Sequence, residues 1–164
     1  MARAGSPTLA PEETELKLRI APEALARLAR VPTGAPVIVV FGCRGEDGHG
    51  AITRIADERT AAIALLCAAQ LAPSFVEYAL RAGAHGVLVS GCRDGDCTYR
   101  LGNRWLEERL AARREPHLRV AVPRDRTRVA WTGCGDERAL LDAIGRFRAD
   151  LTTGAQARHA STTL

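Results

Sequence analysis

VIVVFGC, residues Val37–Cys43, is the stretch whose reading decides the fold. From Val37 to Phe41 every side chain is apolar, so neither face of this segment suits water. An antiparallel strand with one wet face would alternate. A continuous apolar run is what a strand buried on both faces of a parallel sheet requires. Two similar runs follow, Ala61–Leu66 and Gly86–Val89, and Leu118–Val122 and Arg128–Trp131 are further strand candidates.

Helical segments alternate with these runs. Pro73–Arg81 carries Phe75, Val76, Ala79 and Leu80 on one face and is closed by Gly83. Leu101–Arg114 reads as an amphipathic helix with Trp105, Leu106 and Leu110 inward, and Asp136–Leu151 as another with Leu140, Leu141, Ile144 and Phe147 inward. The segment after Cys43 is rich in glycine, with Ile52–Arg59 as a short helix candidate. Strand and helix in alternation imply a small, doubly wound α/β fold, mostly parallel and flavodoxin-like in the broad sense, with helices on both faces. In front of it, residues 1–35 read as an arm with a short edge strand, Glu15–Ile20, and a short helix, Ala21–Arg30. The domain proper is expected over 36–151, and 152–164 as a flexible tail.

Composition narrows the function. The chain is 46% hydrophobic and 26% charged, which suits a globular domain. The net charge of +4 comes from arginines scattered among acids, with Lys17 as the one lysine, and aromatic residues are 4% of the chain. That lacks the basic stripe and stacking platform of a nucleic-acid binder. Met1–Pro11 has no apolar run behind its arginine, and no stretch approaches the roughly 20 apolar residues of a membrane helix. A cytoplasmic protein with no membrane insertion is expected. Five cysteines in such a reducing compartment point to metal binding or redox chemistry rather than structural disulfides.

The positions of those cysteines carry the chemistry. Cys43, Cys67, Cys92 and Cys134 each follow directly on an apolar strand run, and Cys97 follows Cys92 across the loop Arg93-Asp94-Gly95-Asp96. The carboxyl ends of parallel strands share one edge of the sheet, where ligands bind in open α/β folds. Thiols distant in sequence should therefore meet there. A single buried cysteine, Cys67 for instance, is most simply a small hydrophobe; five at corresponding strand ends are not. Grouped thiolates suit zinc or an iron–sulfur cluster. The C-x2-C knuckles usual in structural zinc sites are missing, which favours the larger inorganic core. Arg44, Arg93, Arg100 and Arg104 lie beside the cysteines and could balance its charge. His85, in the turn Gly83–Gly86, reads as a turn or capping residue. His49 stands alone where a Rieske-type centre needs two histidines, so it is left off the ligand set.

The run Arg81-Ala82-Gly83-Ala84-His85-Gly86-Val87-Leu88-Val89-Ser90-Gly91-Cys92, continued by Gly95-Asp96-Cys97-Thr98-Tyr99-Arg100 and Gly102-Asn103, resembles the delta subunit of methyl-viologen-reducing hydrogenase, the hydrogenase iron–sulfur subunit family associated with heterodisulfide reductase. Phe41-Gly42-Cys43 and Cys67 after Leu65-Leu66 resemble its two upstream cysteine motifs, and the likeness extends over roughly Pro36 to Phe147. The resemblance implies an electron-transfer subunit with a [2Fe-2S] cluster. Such a subunit relays electrons between a hydrogenase or dehydrogenase module and a flavin- and cluster-bearing partner like heterodisulfide reductase. It implies Cys43, Cys67, Cys92 and Cys97 as the ligands, with Cys134 as the alternative thiol. It implies no catalytic residue.

The chain departs from the family pattern in three places. The first motif is typically C-x2-C, and here Gly45-Glu46 follow Arg44; Thr98 replaces a histidine; and Cys134 stands where a small residue such as serine is expected. Two rival readings follow from the residues alone. Cys92 and Cys97 could form a thiol-redox pair activated by the start of the Leu101 helix. The thiols could instead hold zinc in an interaction module.

Overall fold

The computed structural model describes residues 36–45 and 48–162, with side chains through Gly154. The strand and helix expected at Glu15–Ile20 and Ala21–Arg30 lie outside the described residues. Four parallel strands form one sheet: β1 (Ile38–Cys43), β2 (Thr60–Leu65), β3 (Gly86–Ser90) and β4 (Thr127–Ala130), in the order β2-β1-β3-β4. The apolar runs sit where their composition demands. All residues of β1 and β3 are buried, because each has a strand on either side and packed layers above and below. β4, at the edge, is only partly buried and carries Arg128 outward.

Alternation along β1 sorts the core into two layers. Val39, Phe41 and Cys43 face α1 (Pro73–Arg81) and α2 (Gly102–Leu110), packing with Phe75, Val76, Leu106 and Leu110. Ile38 and Val40 face α3 (Glu137–Thr162), packing with Leu140, Ile144 and Phe147. Each large side chain sealed from water in these layers contributes about 1.5–3 kcal/mol. Both faces of the sheet are covered, as expected of a doubly wound α/β fold. The chain reverses its winding between β1 and β3, and that switch point is where such folds open a crevice at the carboxyl ends of the strands.

Several elements differ from their sequence-based expectation. α1 has the expected bounds, with Pro73 in its first turn and Gly83 in the left-handed conformation just past its end, φ 104°. α2 stops at Leu110 instead of reaching Arg114, and Ala112 turns the chain with φ 59°. Trp105 faces outward, 37% exposed, under the guanidinium of Arg114. Leu118–Val122 forms no strand. Leu118 alone is fully buried, Val122 packs only partly against the core, Val120 is 85% exposed, and the β3 edge is already occupied by β4. A segment with one buried side chain has too little apolar area to hold a sheet position. Ile52–Arg59 holds no α-helix; a 3-10 turn over Ala51–Thr53 precedes β2. The last helix continues past Leu151 to Thr162, and Thr152 and Thr153 bond back to the carbonyls of Arg148 and Ala149.

Candidate metal centre

Register places the cysteines. Cys43 ends β1 opposite Leu65 of β2, and Gly42 lies opposite Ser90 of β3, so the segments carrying Cys67 and Cys92 leave the sheet beside Cys43. The β3–β4 ladder ends at Ser90↔Ala130 but is prolonged by two ties. Ser90 Oγ and Thr132 Oγ1 share a hydrogen bond of 2.9 Å, and the Gly133 N–H donates to the Gly91 carbonyl at 3.0 Å. Gly133 has φ 93°, which few residues other than glycine adopt without strain. These ties carry Ser90-Gly91-Cys92 and Thr132-Gly133-Cys134 forward side by side. The Sγ atoms of Cys92 and Cys134 stand 3.2 Å apart.

Three sulfurs, those of Cys43, Cys92 and Cys134, all lie within 4.8 Å of one another. Cys67 hydrogen-bonds with Cys43 on one side and with Cys97 on the other. All five thiols therefore meet at the carboxyl edge of the sheet. Their surroundings are built for sulfur. The Ala68 N–H donates to Cys43 Sγ at 3.0 Å, and the Ala69 N–H to Cys67 Sγ at 3.4 Å, both from the 3-10 turn that Cys67 caps. Gly102, at the start of α2, leaves room for sulfur: a Cβ there would stand 2.8 Å from Cys67 Sγ and 3.2 Å from Cys97 Sγ. The Asn103 side-chain amide donates to the Cys92 carbonyl at 2.7 Å.

The protonation of the group is uneven. The hydrogen bond with Cys67, then burial, pushes the Cys43 thiol far up from its ordinary value. The Cys67 thiol is lowered to about 6, chiefly because Cys43 donates to it, against the opposing effect of burial. Burial and then the neighbouring Cys92 push Cys134 up to about 12. One thiolate is thus favoured among packed sulfurs, and further ionisation in so tight a group needs a cation to offset the repulsion. Soft thiolate donors, backbone N–H groups aimed at sulfur and no side-chain carboxylate in the triad suit an iron–sulfur cluster or another thiophilic metal.

The remaining sequence-based candidates are placed as follows. Of the four arginines, Arg93 pairs with Asp136 at 2.7 Å and Arg104 with Glu108 at 2.9 Å, so carboxylates offset both charges. His85 sits at the opposite end of the sheet, where its Nδ1 accepts the Val37 N–H at 3.0 Å, in keeping with a capping role. Cys92, expected to pair with Cys97 in the thiol-redox reading, has Cys134 as its near neighbour. The structural parts of Gly102 and Asn103 are not apparent from sequence. The doublet of Ser-Gly-Cys after β3 and Thr-Gly-Cys after β4 is the available signal that Cys92 and Cys134 belong together.

The sequence is similar to those of known proteins. A family model described as methyl-viologen-reducing hydrogenase, delta subunit, matches residues 38–153. One subunit of the ferredoxin/F(420)H(2)-dependent CoB-CoM heterodisulfide reductase of Methanosarcina acetivorans is 33% identical over 89 residues, 54% of this chain and 11% of that protein. An iron-sulfur subunit of the F420-non-reducing hydrogenase of Archaeoglobus profundus is 28% identical over 85 residues, 52% of this chain and 62% of that protein. The vhu iron-sulfur subunit of the F420-non-reducing hydrogenase of Methanocaldococcus jannaschii is 24% identical over 120 residues, 70% of this chain and 89% of its own length. The chain thus spans about a tenth of the reductase protein and most of the shorter hydrogenase subunits. Because the matched region takes in all four strands, all five gathered cysteines and the first turns of α3, this chain belongs to the methyl-viologen-reducing hydrogenase delta subunit family.

Proposed function

We propose that this protein is an electron-transfer subunit that carries a [2Fe-2S] cluster on the thiols at the carboxyl edge of its sheet. It relays electrons between a hydrogenase or dehydrogenase module and a flavin-containing partner resembling heterodisulfide reductase. The observation that carries the reading is the convergence of five thiols, three of them with sulfurs within 4.8 Å of one another. The names of the relatives, iron–sulfur subunits of hydrogenases and one subunit of a heterodisulfide reductase, support an iron–sulfur group and a redox-complex partner. Such a cluster supplies one-electron transfer when bound.

The chain's own residues hold and tune the site. Ligands are drawn from Cys43, Cys67, Cys92 and Cys97, the thiols expected from the family motifs, and Cys134. The Ala68 and Ala69 N–H groups withdraw charge from the sulfurs of Cys43 and Cys67, which raises a reduction potential. Asn103 fixes the Cys92 segment, and Gly102 keeps space beside Cys67. Leu66, Tyr99 and Leu101, each close to a cysteine in the chain, are exposed, and with Arg44 and Arg100 they give this edge a mixed apolar and cationic rim suited to a protein partner. Among the described residues no helix is long and apolar enough to cross a membrane.

Anaerobic reconstitution followed by iron and acid-labile sulfide analysis tests the cluster, and affinity capture under anaerobic conditions tests the partner. The expected result is two irons and two sulfides per chain, in the stoichiometry of the cluster, and recovery with a flavin-bearing subunit. Well-folded protein that takes zinc and no iron would favour the interaction module. Colourless protein with two reactive thiols would favour the redox enzyme.

A further inference from the structure

The sulfurs are not equivalent. Thiolates that share one tetrahedral metal with bonds near 2.3 Å stand about 3.8 Å apart. Cys92 and Cys134, at 3.2 Å, are about 0.6 Å short of that spacing, and Cys43 lies within 4.8 Å of both. Cys67 adjoins the triad through its hydrogen bond with Cys43. Neither Cys67 nor Cys97 is one of the three mutually close sulfurs, but Cys67 is bonded to one of them, whereas Cys97, on the α2 side, meets Cys67 beside Gly102 and stands one step further out.

The backbone around Cys134 is also tied down as a ligand's would be. Its carbonyl accepts the Ala51 N–H at 2.7 Å, and the preceding Gly133 N–H is bonded to Gly91, next to Cys92. These ties bring a thiol from β4 to a site otherwise supplied by β1, β2 and β3. A cysteine placed there only to pack would not need its sulfur within bonding range of two others.

We infer that Cys134 is a metal ligand of this chain, completing a set with Cys43, Cys67 and Cys92, and that Cys97 is an uncoordinated thiol beside them. The inference rests on the cluster reading above and sharpens it. Four thiolates satisfy a [2Fe-2S] centre, so a fifth nearby is surplus.

The test compares wild type, Cys134→Ser and Cys97→Ser as full chains, reconstituted anaerobically, with far-UV circular dichroism to verify folding. Bound iron, visible charge-transfer bands and the electron paramagnetic resonance of the reduced protein are read. Cys134→Ser is expected to lose more than about half of its iron, or to keep it with shifted bands and g values, since one of four thiolates is gone. Cys97→Ser is expected to match wild type. An unchanged iron content and spectrum in Cys134→Ser would overturn the inference, as would loss of the cluster in Cys97→Ser. Cobalt(II) titration of the reduced apoproteins reads the same assignment without iron. Cys134→Ser should lose about one quarter of the thiolate-to-cobalt intensity, one donor of four, and Cys97→Ser none. Failure of wild type to take up iron would thus refute the cluster, while the cobalt spectra would still decide the ligand.

Discussion

The sulfurs of Cys92 and Cys134 lie 3.2 Å apart although 42 positions separate them in the chain. Each follows a glycine just past the end of a strand, and the two strands are parallel neighbours. The contact is therefore a product of sheet order: had β4 added beside β2 instead of β3, Cys134 would face Cys67. The site is assembled by the topology of the sheet and not by a local loop.

Gly102→Ala should separate folding from metal binding. The new Cβ would stand 2.8 Å from Cys67 Sγ and 3.2 Å from Cys97 Sγ. In the apoprotein those side chains can swing aside, and alanine in place of glycine at a compatible backbone position stabilises by about 0.4–1 kcal/mol by restricting the unfolded chain. Once Cys67 is held by metal it cannot yield. The expected outcome is an apoprotein at least as stable to urea as wild type, with a several-fold faster loss of iron to a chelator. Equal chelation rates would show that Gly102 is not there for the sulfurs.

How far the sequence foretells this site depends on the scale of the question. The apolar runs at Val37–Phe41 and Gly86–Val89 identify buried strands because burial on both faces leaves no other composition available. From that, the arrival of the cysteines at one edge follows directly. Strand order does not follow, so the partnership of Cys92 with Cys134, and the place of Cys97 outside the triad, are out of its reach. The differences at Trp105 and at Leu118–Val122 share a cause. An apolar residue at the right spacing is buried only if an element exists to cover it, and beyond β4 none does among the described residues. Arg93 reads as free charge in the sequence because its carboxylate partner, Asp136, arrives from another part of the chain.

Gly86→Ala is the structural counterpart of the Gly102 change. Here the Cβ would meet Leu151 Cδ1 and Phe147 Cζ, each at 2.7 Å, inside the α3 layer. Overpacking of this kind costs about 1–3 kcal/mol. Gly86 begins β3 and Cys92 lies past its other end, so the metal site should be spared. Thermal denaturation should show the loss of stability, and iron per folded chain should stay at the wild-type value. A drop in iron without a drop in stability would contradict the two-layer account of the core.

His85 should make the apoprotein sensitive to mild acid. Partial burial, then the positive charge of Arg126, lowers its pKa below the ordinary value of about 6.5, and its Nδ1 must be unprotonated to accept the Val37 N–H. The neutral form is thus favoured by folding. Its contribution is complete above about pH 6.5 and is lost as pH falls, because the unfolded chain takes up a proton that the folded chain resists. Urea midpoints measured from about pH 8 to about pH 5 should fall on the acid side for wild type. His85→Gln should fall less steeply over the same range, from a lower starting stability. Parallel curves would assign the acid sensitivity to other groups.

Asn103→Ala should loosen the cluster more than it loosens the fold. The Asn103 amide donates to the Cys92 carbonyl at 2.7 Å, and it is the tie between the start of α2 and the loop that leaves β3. Losing one such part-buried bond costs about 1 kcal/mol, which urea denaturation of the apoprotein would register. The Cys92 backbone would still be tethered through Gly91 to Gly133, so the chain should fold. What is lost is the fixed position of Cys92 relative to Cys134, and a metal held by thiols in a mobile segment is released faster. Iron transfer to a chelator should therefore accelerate about tenfold or more, the lower end of what loss of a supporting hydrogen bond typically costs a metal site. Asn103→Asp makes the comparison sharper. It keeps the size of the side chain, lacks the donor, and sets a carboxylate against the Cys92 carbonyl, so its iron loss should be at least as fast as that of Asn103→Ala. Chelation in both variants at the wild-type rate, with the expected fall in urea stability, would show that Asn103 braces the fold and leaves the position of Cys92 to its other ties.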